Sequence, residues 1–210
     1  MEQIINIENN LPDFLAKTVS TVLNPMFIAP AMFGWIINLN IHSLPSPVHL
    51  FISIFVFYCL VPFLILATFL YLRKIDSLNI MVQSQRTIPY FLGIVSYIIG
   101  YFFILLYAGL TGWVGAAAVT IIISAISSAI INHYSKISVH TTSITIAVIF
   151  AALLMPSGSG IVAFVILFLA IPLVAWARVR ESAHTPLQTF GGFLLGLFTT
   201  LLVLQFYPLS

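Results

Sequence analysis

The sequence predicts an all-α protein, a polytopic transmembrane helical bundle of six or seven spans. Three observations predict it. The 210 residues are 61% hydrophobic and 6% charged, with a mean hydropathy of +1.15, values foreign to soluble globular domains. The apolar residues run in stretches near the roughly 20 that cross a hydrocarbon core. The charged residues fall into four short clusters, with an even number of apolar stretches between one cluster and the next.

In chain order the spans read as 21–40, 48–72, 89–109, 113–132, 141–156, 160–177 and 186–207. Backbone groups in lipid must be satisfied within each segment, so these are helices rather than strands. The first is the weakest, because Asn24, Pro25, Pro30, Asn38 and Asn40 interrupt it. The fifth is short and has room to extend back towards His140. Residues 1–20 form an acidic, amphipathic segment unlike the basic start of a signal peptide, so no removable leader is expected. Residues 21–210 then form a single transmembrane domain, with no room for a separate soluble one. The lone Cys59 excludes an intrachain disulfide. A net charge of +2 without a basic, aromatic-interleaved stripe gives no reason to expect a nucleic-acid partner.

A charge at the bilayer centre costs roughly 2.5–3.5 kcal/mol even on a lenient scale, so charges are expelled to loops. Here they are expelled to one face. Two spans separate the 73–88 loop from the 133–140 loop, two more lead to the 178–185 loop, and the N-terminus joins them by parity. All seven Lys and Arg then share a side, which the positive-inside rule makes cytoplasmic. The connections near 41–47, 110–112 and 156–159 carry no Lys, Arg, Asp or Glu. The expected location is a bacterial inner membrane, with the polar loops facing the cytoplasm.

The polar loops carry the candidate chemistry. Arg86-Thr-Ile-Pro89 opens the third span, with proline suited to a first helical turn. Alone, such an arginine is a boundary residue snorkelling to headgroups. The functional reading makes it a fixed guanidinium at a helix start, suited to bidentate phosphate binding. Lys136-Ile-Ser138-Val-His140 precedes the fifth span, offering a point charge, an N-cap with free amides, and a group that titrates near neutrality. Arg178 and His184 are six apart, and His184 and Gln188 four apart. If the last helix starts near Thr185 or Pro186, Gln188 lies about one turn in. From there it can bond an imidazole nitrogen and fix tautomer and ring angle.

Together these loops resemble the type-2 phosphatidic acid phosphatase family, membrane lipid phosphate phosphatases related to vanadium haloperoxidases. The family carries three motifs on one membrane face: a lysine followed by Arg near Pro; Ser-Gly-His; and Arg, five residues, His, three residues, Asp. The matching positions here are Arg86 to Pro89, Ser138-Val139-His140, and Arg178 to His184 with Gln188. The first-motif lysine is absent, valine replaces the second-motif glycine, and Gln188 replaces the aspartate that orients the nucleophile. Glu181 is near enough in sequence to stand in for that aspartate. Pro156-Ser157-Gly158-Ser159 imitates the second motif but lacks its histidine and lies on the bare face, as a turn.

The resemblance implies a catalytic pair, His184 as nucleophile and His140 as acid and base. Arg86, Arg178, Lys136 and Ser138 would bind the phosphoryl group, and Gln188 would orient His184. It implies no metal and no cofactor, because cationic side chains perform the electrostatic task. The implied substrate is a lipid phosphate or prenyl diphosphate reached from among membrane lipids. The alternative is a member that lost catalysis and serves as an accessory or lipid-binding subunit of a larger membrane complex. A third class, an aspartate-rich membrane prenyltransferase, is prompted by Asp76, Asn79 and Arg86. It lacks the paired aspartate clusters that would hold Mg²⁺ on a diphosphate.

Overall fold

The computed structural model describes residues 2–78, 80, 82–109, 112–156 and 160–209, with backbone alone for 2–10. Asn79, residues 110–111 and the 157–159 part of the Ser-Gly-Ser turn lie outside the described residues. Among those described there is no strand. The helices are α1 (Glu2–Val22), α2 (Pro25–Leu39), α3 (Pro47–Phe55), α4 (Val61–Tyr71), α5 (Thr87–Ala108), α6 (Trp113–Tyr134), α7 (Val139–Leu153), α8 (Gly160–Arg180) and α9 (Pro186–Phe206). Among the described residues, five segments are long and apolar enough to cross a membrane, Pro47–Tyr71, Ser84–Ala108, Trp113–Tyr134, Gly160–Arg180 and Pro186–Phe206, or six if the bent pair Leu11–Val22 and Pro25–Leu39 is one span. This is the all-α polytopic bundle that the composition predicts.

Two of the seven predicted spans take a different form. The first is not one helix: Leu11–Val22 and Pro25–Leu39 meet at 51°, and α1 runs through the boundary expected at residue 20. The cause is local. Pro25 has no amide with which to continue α1, and the Asn24 side chain caps α2 by accepting from the Met26 amide at 3.0 Å. The fifth predicted span, α7, has 15 residues, or about 22 Å of helix against a core of about 30 Å. It begins at Val139, earlier than the expected 141, because Ser138 caps it. α7 packs against α2, α6, α8 and α9, and its residues from His140 to Thr142 are all buried.

A π turn at Val56–Leu60 joins α3 to α4. Pro62 accounts for it, since a proline supplies no amide to the preceding turn. In the wider π register the Phe57 carbonyl is the one left without that amide. Ser96 of α5 donates to it at 2.6 Å, and the Tyr58 hydroxyl donates to the Tyr97 carbonyl at 3.0 Å. Such interhelical bonds contribute on average about 0.6 kcal/mol each within a membrane.

At one end of the bundle the Gly112 amide donates to the Pro208 carbonyl, and Tyr101 bonds Tyr207 at 3.1 Å. At the other end the segments 80–86, 132–140 and 178–188 meet the end of α1. Gln83 Nε2 donates to the Asn132 carbonyl at 2.6 Å, the Ser138 amide to the Gln188 carbonyl at 3.3 Å, and Arg180 pairs with Asp13 at 2.6 Å. That end holds the candidate site.

Candidate active site

His184 is positioned by the ends of two helices. α8 ends at Arg180, Ser182 with a φ of 56° turns the chain, and the Arg178 carbonyl accepts from both the Ala183 and His184 amides. α9 then starts from a capping box: Thr185 accepts from the Gln188 amide, and Gln188 Oε1 accepts from the Thr185 amide at 3.2 Å. The same Oε1 stands 3.1 Å from His184 Nδ1. The capping box fixes which end of the glutamine amide is oxygen, so Nδ1 must be the protonated nitrogen and Nε2 carries the lone pair. Burial foremost, then the Arg86 charge, holds the His184 pKa down to about 4, with Arg178 and Lys136 adding to the effect and the Gln188 bond opposing it. The ring is therefore neutral at physiological pH. A buried neutral imidazole whose Nε2 keeps its lone pair has the form that nucleophilic chemistry requires.

His140 lies in the first turn of α7, behind the Ser138 cap, whose side-chain oxygen accepts from the Thr141 amide at 3.3 Å and from the Thr141 hydroxyl at 2.9 Å. Close approach of α9 holds this turn in place. A Cβ on Gly192 would stand 2.5 Å from the Ser138 carbonyl oxygen, and one on Gly196 would stand 2.6 Å from that of Thr142. His140 Nε2 lies 3.5 Å from Asn24 Nδ2, and the Ser20 backbone bonds the same ring.

The two arginines are held differently. Arg86 spends Nε and Nη2 on the Ile80 carbonyl, at 2.9 and 2.7 Å, and directs Nη1 to the Ile137 carbonyl at 3.4 Å. It thereby ties the first polar loop to the second. Arg178 Nη1 bonds Glu181 at 2.8 Å and Ser20 at 3.5 Å, while its Nε is buried with no hydrogen-bond partner. A buried unmatched guanidinium donor costs free energy unless an anion satisfies it. Glu181 is thus engaged with Arg178 and Ser20, the latter donating at 2.5 Å. It does not take the place of the missing aspartate, because Gln188 occupies the His184 Nδ1 side.

Arg86, His140, Arg178 and His184 line one cavity of about 480 Å³. Its remaining wall is largely apolar and comes from α2, α4, α5, α6 and α7, including Met26, Phe63, Leu66, Gly93, Tyr97 and Ile121. Lys136, Ser138 and Gln188 are not among the lining residues. Ser138 is committed to its cap and Gln188 sits behind His184. Lys136 acts on His184 by charge, and its own pKa is lowered by burial and by Arg86.

Asn24 also lines the cavity, and Ser20 and Glu181 hold Arg178 from behind; the sequence assigns Asn24 and Ser20 no site role, and it offers Glu181 only as a stand-in for the orienting aspartate. One signal was available for Asn24. An asparagine before a proline inside an apolar run is the mark of a helix start, and hence of a break.

An all-α bundle thus brings two histidines and two arginines around one cavity, a set of side chains whose chemistry suits an anionic group such as a phosphoryl. The comparison with known families agrees: residues 116–210 match the PAP2 superfamily model, consistent with a type-2 phosphatidic acid phosphatase family member. The match covers a little under half of the chain. It includes Ser138, His140, Arg178, His184 and Gln188, and leaves out Arg86 and the whole of α1 to α5. No curated protein and no solved structure matches the chain. A PAP2 domain suggests phosphatase-type activity.

Proposed function

We propose that the protein is a membrane phosphatase that hydrolyses the phosphomonoester or diphosphate of a lipid or isoprenoid through a phosphohistidine. The observation that carries this reading is the neutral, oriented His184, whose Nδ1 is tied to Gln188 within a cavity shared with two arginines. His184 Nε2 attacks phosphorus, and the bond from phosphorus to the lipid oxygen breaks. His140, protonated once the phosphoryl dianion offsets the neighbouring Arg178 and Arg86 charges, gives its proton to that leaving oxygen. It then takes a proton from water, whose oxygen attacks the phosphohistidine. The P–N bond breaks, inorganic phosphate leaves and His184 returns to its neutral form. Arg178 and Arg86 offset the charge on the phosphoryl oxygens, and the unmatched Arg178 Nε supports that role.

The apolar part of the cavity takes the hydrocarbon adjoining the headgroup, which favours a lipid phosphate over a soluble one. The polar end faces the cytoplasm by the positive-inside rule, and the chain sits in a bacterial inner membrane. The experiment is phosphate release by the purified protein, in detergent with chelator, from short-chain phosphatidate, a prenyl diphosphate and a soluble sugar phosphate. Release from the lipid substrates that His184→Ala abolishes is the expected result. Release from none of them would leave the accessory-subunit reading in its place.

A further inference from the structure

We propose that the break between α1 and α2 is a working part of this site, in which Asn24 is a positioning residue that sets the tautomer and proton affinity of His140. The inference rests on His140 being the acid–base residue of the proposed reaction, and the residues it adds, Ser20 and Asn24, lie outside the matched region 116–210.

The geometry starts from the cap. Asn24 Oδ1 accepts the Met26 amide at 3.0 Å, which fixes the orientation of the side-chain amide. Its NH₂ group is therefore the end that lies 3.5 Å from His140 Nε2. An amide NH₂ can only donate, so Nε2 must offer a lone pair and the ring proton belongs on Nδ1. The Ser20 backbone, one helical turn before Asn24, bonds the same ring. Its only acceptor is the carbonyl, which suits that Nδ1 proton.

The same segment reaches the neighbouring arginine, since Ser20 bonds both Arg178 and Glu181. A continuous helix could not place Asn24 as the cap of α2 and a partner of His140 at once. The groups that face His140 from other elements are Arg178 on α8, His184 before α9 and Arg86 before α5. All three disfavour added positive charge as Asn24 does, so a protonated His140 finds no carboxylate beside it. Glu181, the carboxylate of this cluster, is turned to Arg178 and Ser20.

Two substitutions separate positioning from structure, because both replacements cap helices about as well as asparagine does. Asn24→Asp keeps the cap and puts an acceptor where the donor was. Asn24→Ser keeps the cap and loses the reach. The measurement is the ring nitrogen spectrum of ¹⁵N-histidine-labelled full-length protein across pH, with His140 assigned by its loss in His140→Gln. In the wild type, Nε2 of His140 is expected to be the unprotonated nitrogen. Asn24→Asp should raise the His140 titration by about one pH unit or more and move the acid limb of any phosphatase profile the same way. Asn24→Ser should alter the Nε2 signal with thermal stability near that of wild type.

A His140 whose proton sits on Nε2, or whose titration is the same in all three proteins, would overturn the proposal. The spectra decide this whether or not the protein turns over. Absence of phosphate release alongside an intact spectral response would defeat the phosphatase reading and leave the hold of Asn24 on His140 standing.

Discussion

The α7–α9 pair and the α3–α5 flank both bring helices close together, and they do so by opposite means. Between α7 and α9 the contact is backbone against backbone: Gly192 and Gly196 leave no room for a Cβ beside the Ser138 and Thr142 carbonyls. Along α5 the contact is with side chains. A Cβ on Gly100 would meet the Tyr58 ring and the Phe57 Cβ at 2.7 Å, whereas one on Gly93 would meet nothing within 4 Å. The first arrangement has nothing that can turn aside, and it carries His140 and His184. The second leaves a gap open beside Gly93, which with Tyr97 lines the apolar part of the cavity. Rigid backbone contact suits groups that must hold a phosphoryl centre, and an adaptable wall suits hydrocarbon.

The largest effect should come from breaking the rigid pair. Gly196→Val places three added carbon atoms against the Thr142 carbonyl and Thr145, and should cost about 3 kcal/mol, read as a lowered thermal midpoint in detergent. Gly93→Ala should lose no stability and gain up to about 1 kcal/mol of helix propensity. Equal losses at the two positions would remove the contrast.

The adaptable wall is tested next. Gly93→Phe should fill the cavity and raise KM for a long-chain lipid phosphate by at least about tenfold, with a short-chain analogue little affected. A parallel loss on both substrates would place the tail elsewhere.

At the rigid pair Gln188 supplies a neutral partner where a carboxylate would support the imidazolium of a phosphohistidine. Gln188→Asp should therefore raise kcat roughly fivefold, the worth of a charge-assisted bond over a neutral one, without changing which lipid is preferred. A fast wild type that the substitution does not improve would show that charge at this position is immaterial.

The last effect is on pH. His184 is held to about 4 from an ordinary 6.5, so the folded protein binds its proton less readily than the unfolded chain does. Its neutral form fits above 6.5 at no penalty, and stability falls as pH drops from 6.5 towards 4. A thermal midpoint followed over that range should fall less in His184→Leu than in the wild type.

Much of this was legible in the sequence because it is local. The spacing from His184 to Gln188 is one helical turn, and Thr185 with Pro186 marks the helix start, so the contact follows from periodicity. Span parity brings three polar loops to one end for the same reason. Asn24 and His140 are 116 residues apart, and no period links them. The interruption of the first span was visible, but not that the broken end would be turned into the site. Glu181 could have gone to either His184 or Arg178, and only geometry assigns it to Arg178. The π turn likewise depends on Ser96, which answers the carbonyl that Pro62 leaves unpaired.

The most direct test of the central claim, that His184 is the group which takes the phosphoryl, is to trap the intermediate. Protein mixed with a ³²P-labelled lipid phosphate in chelator and quenched in base should carry label that survives alkali, is lost in acid, and maps to the peptide containing His184. His140→Ala should take up label slowly and release it slowly, because both the proton for the leaving oxygen and water activation are lost. Label on another residue, or none in a preparation that turns over, would contradict the account.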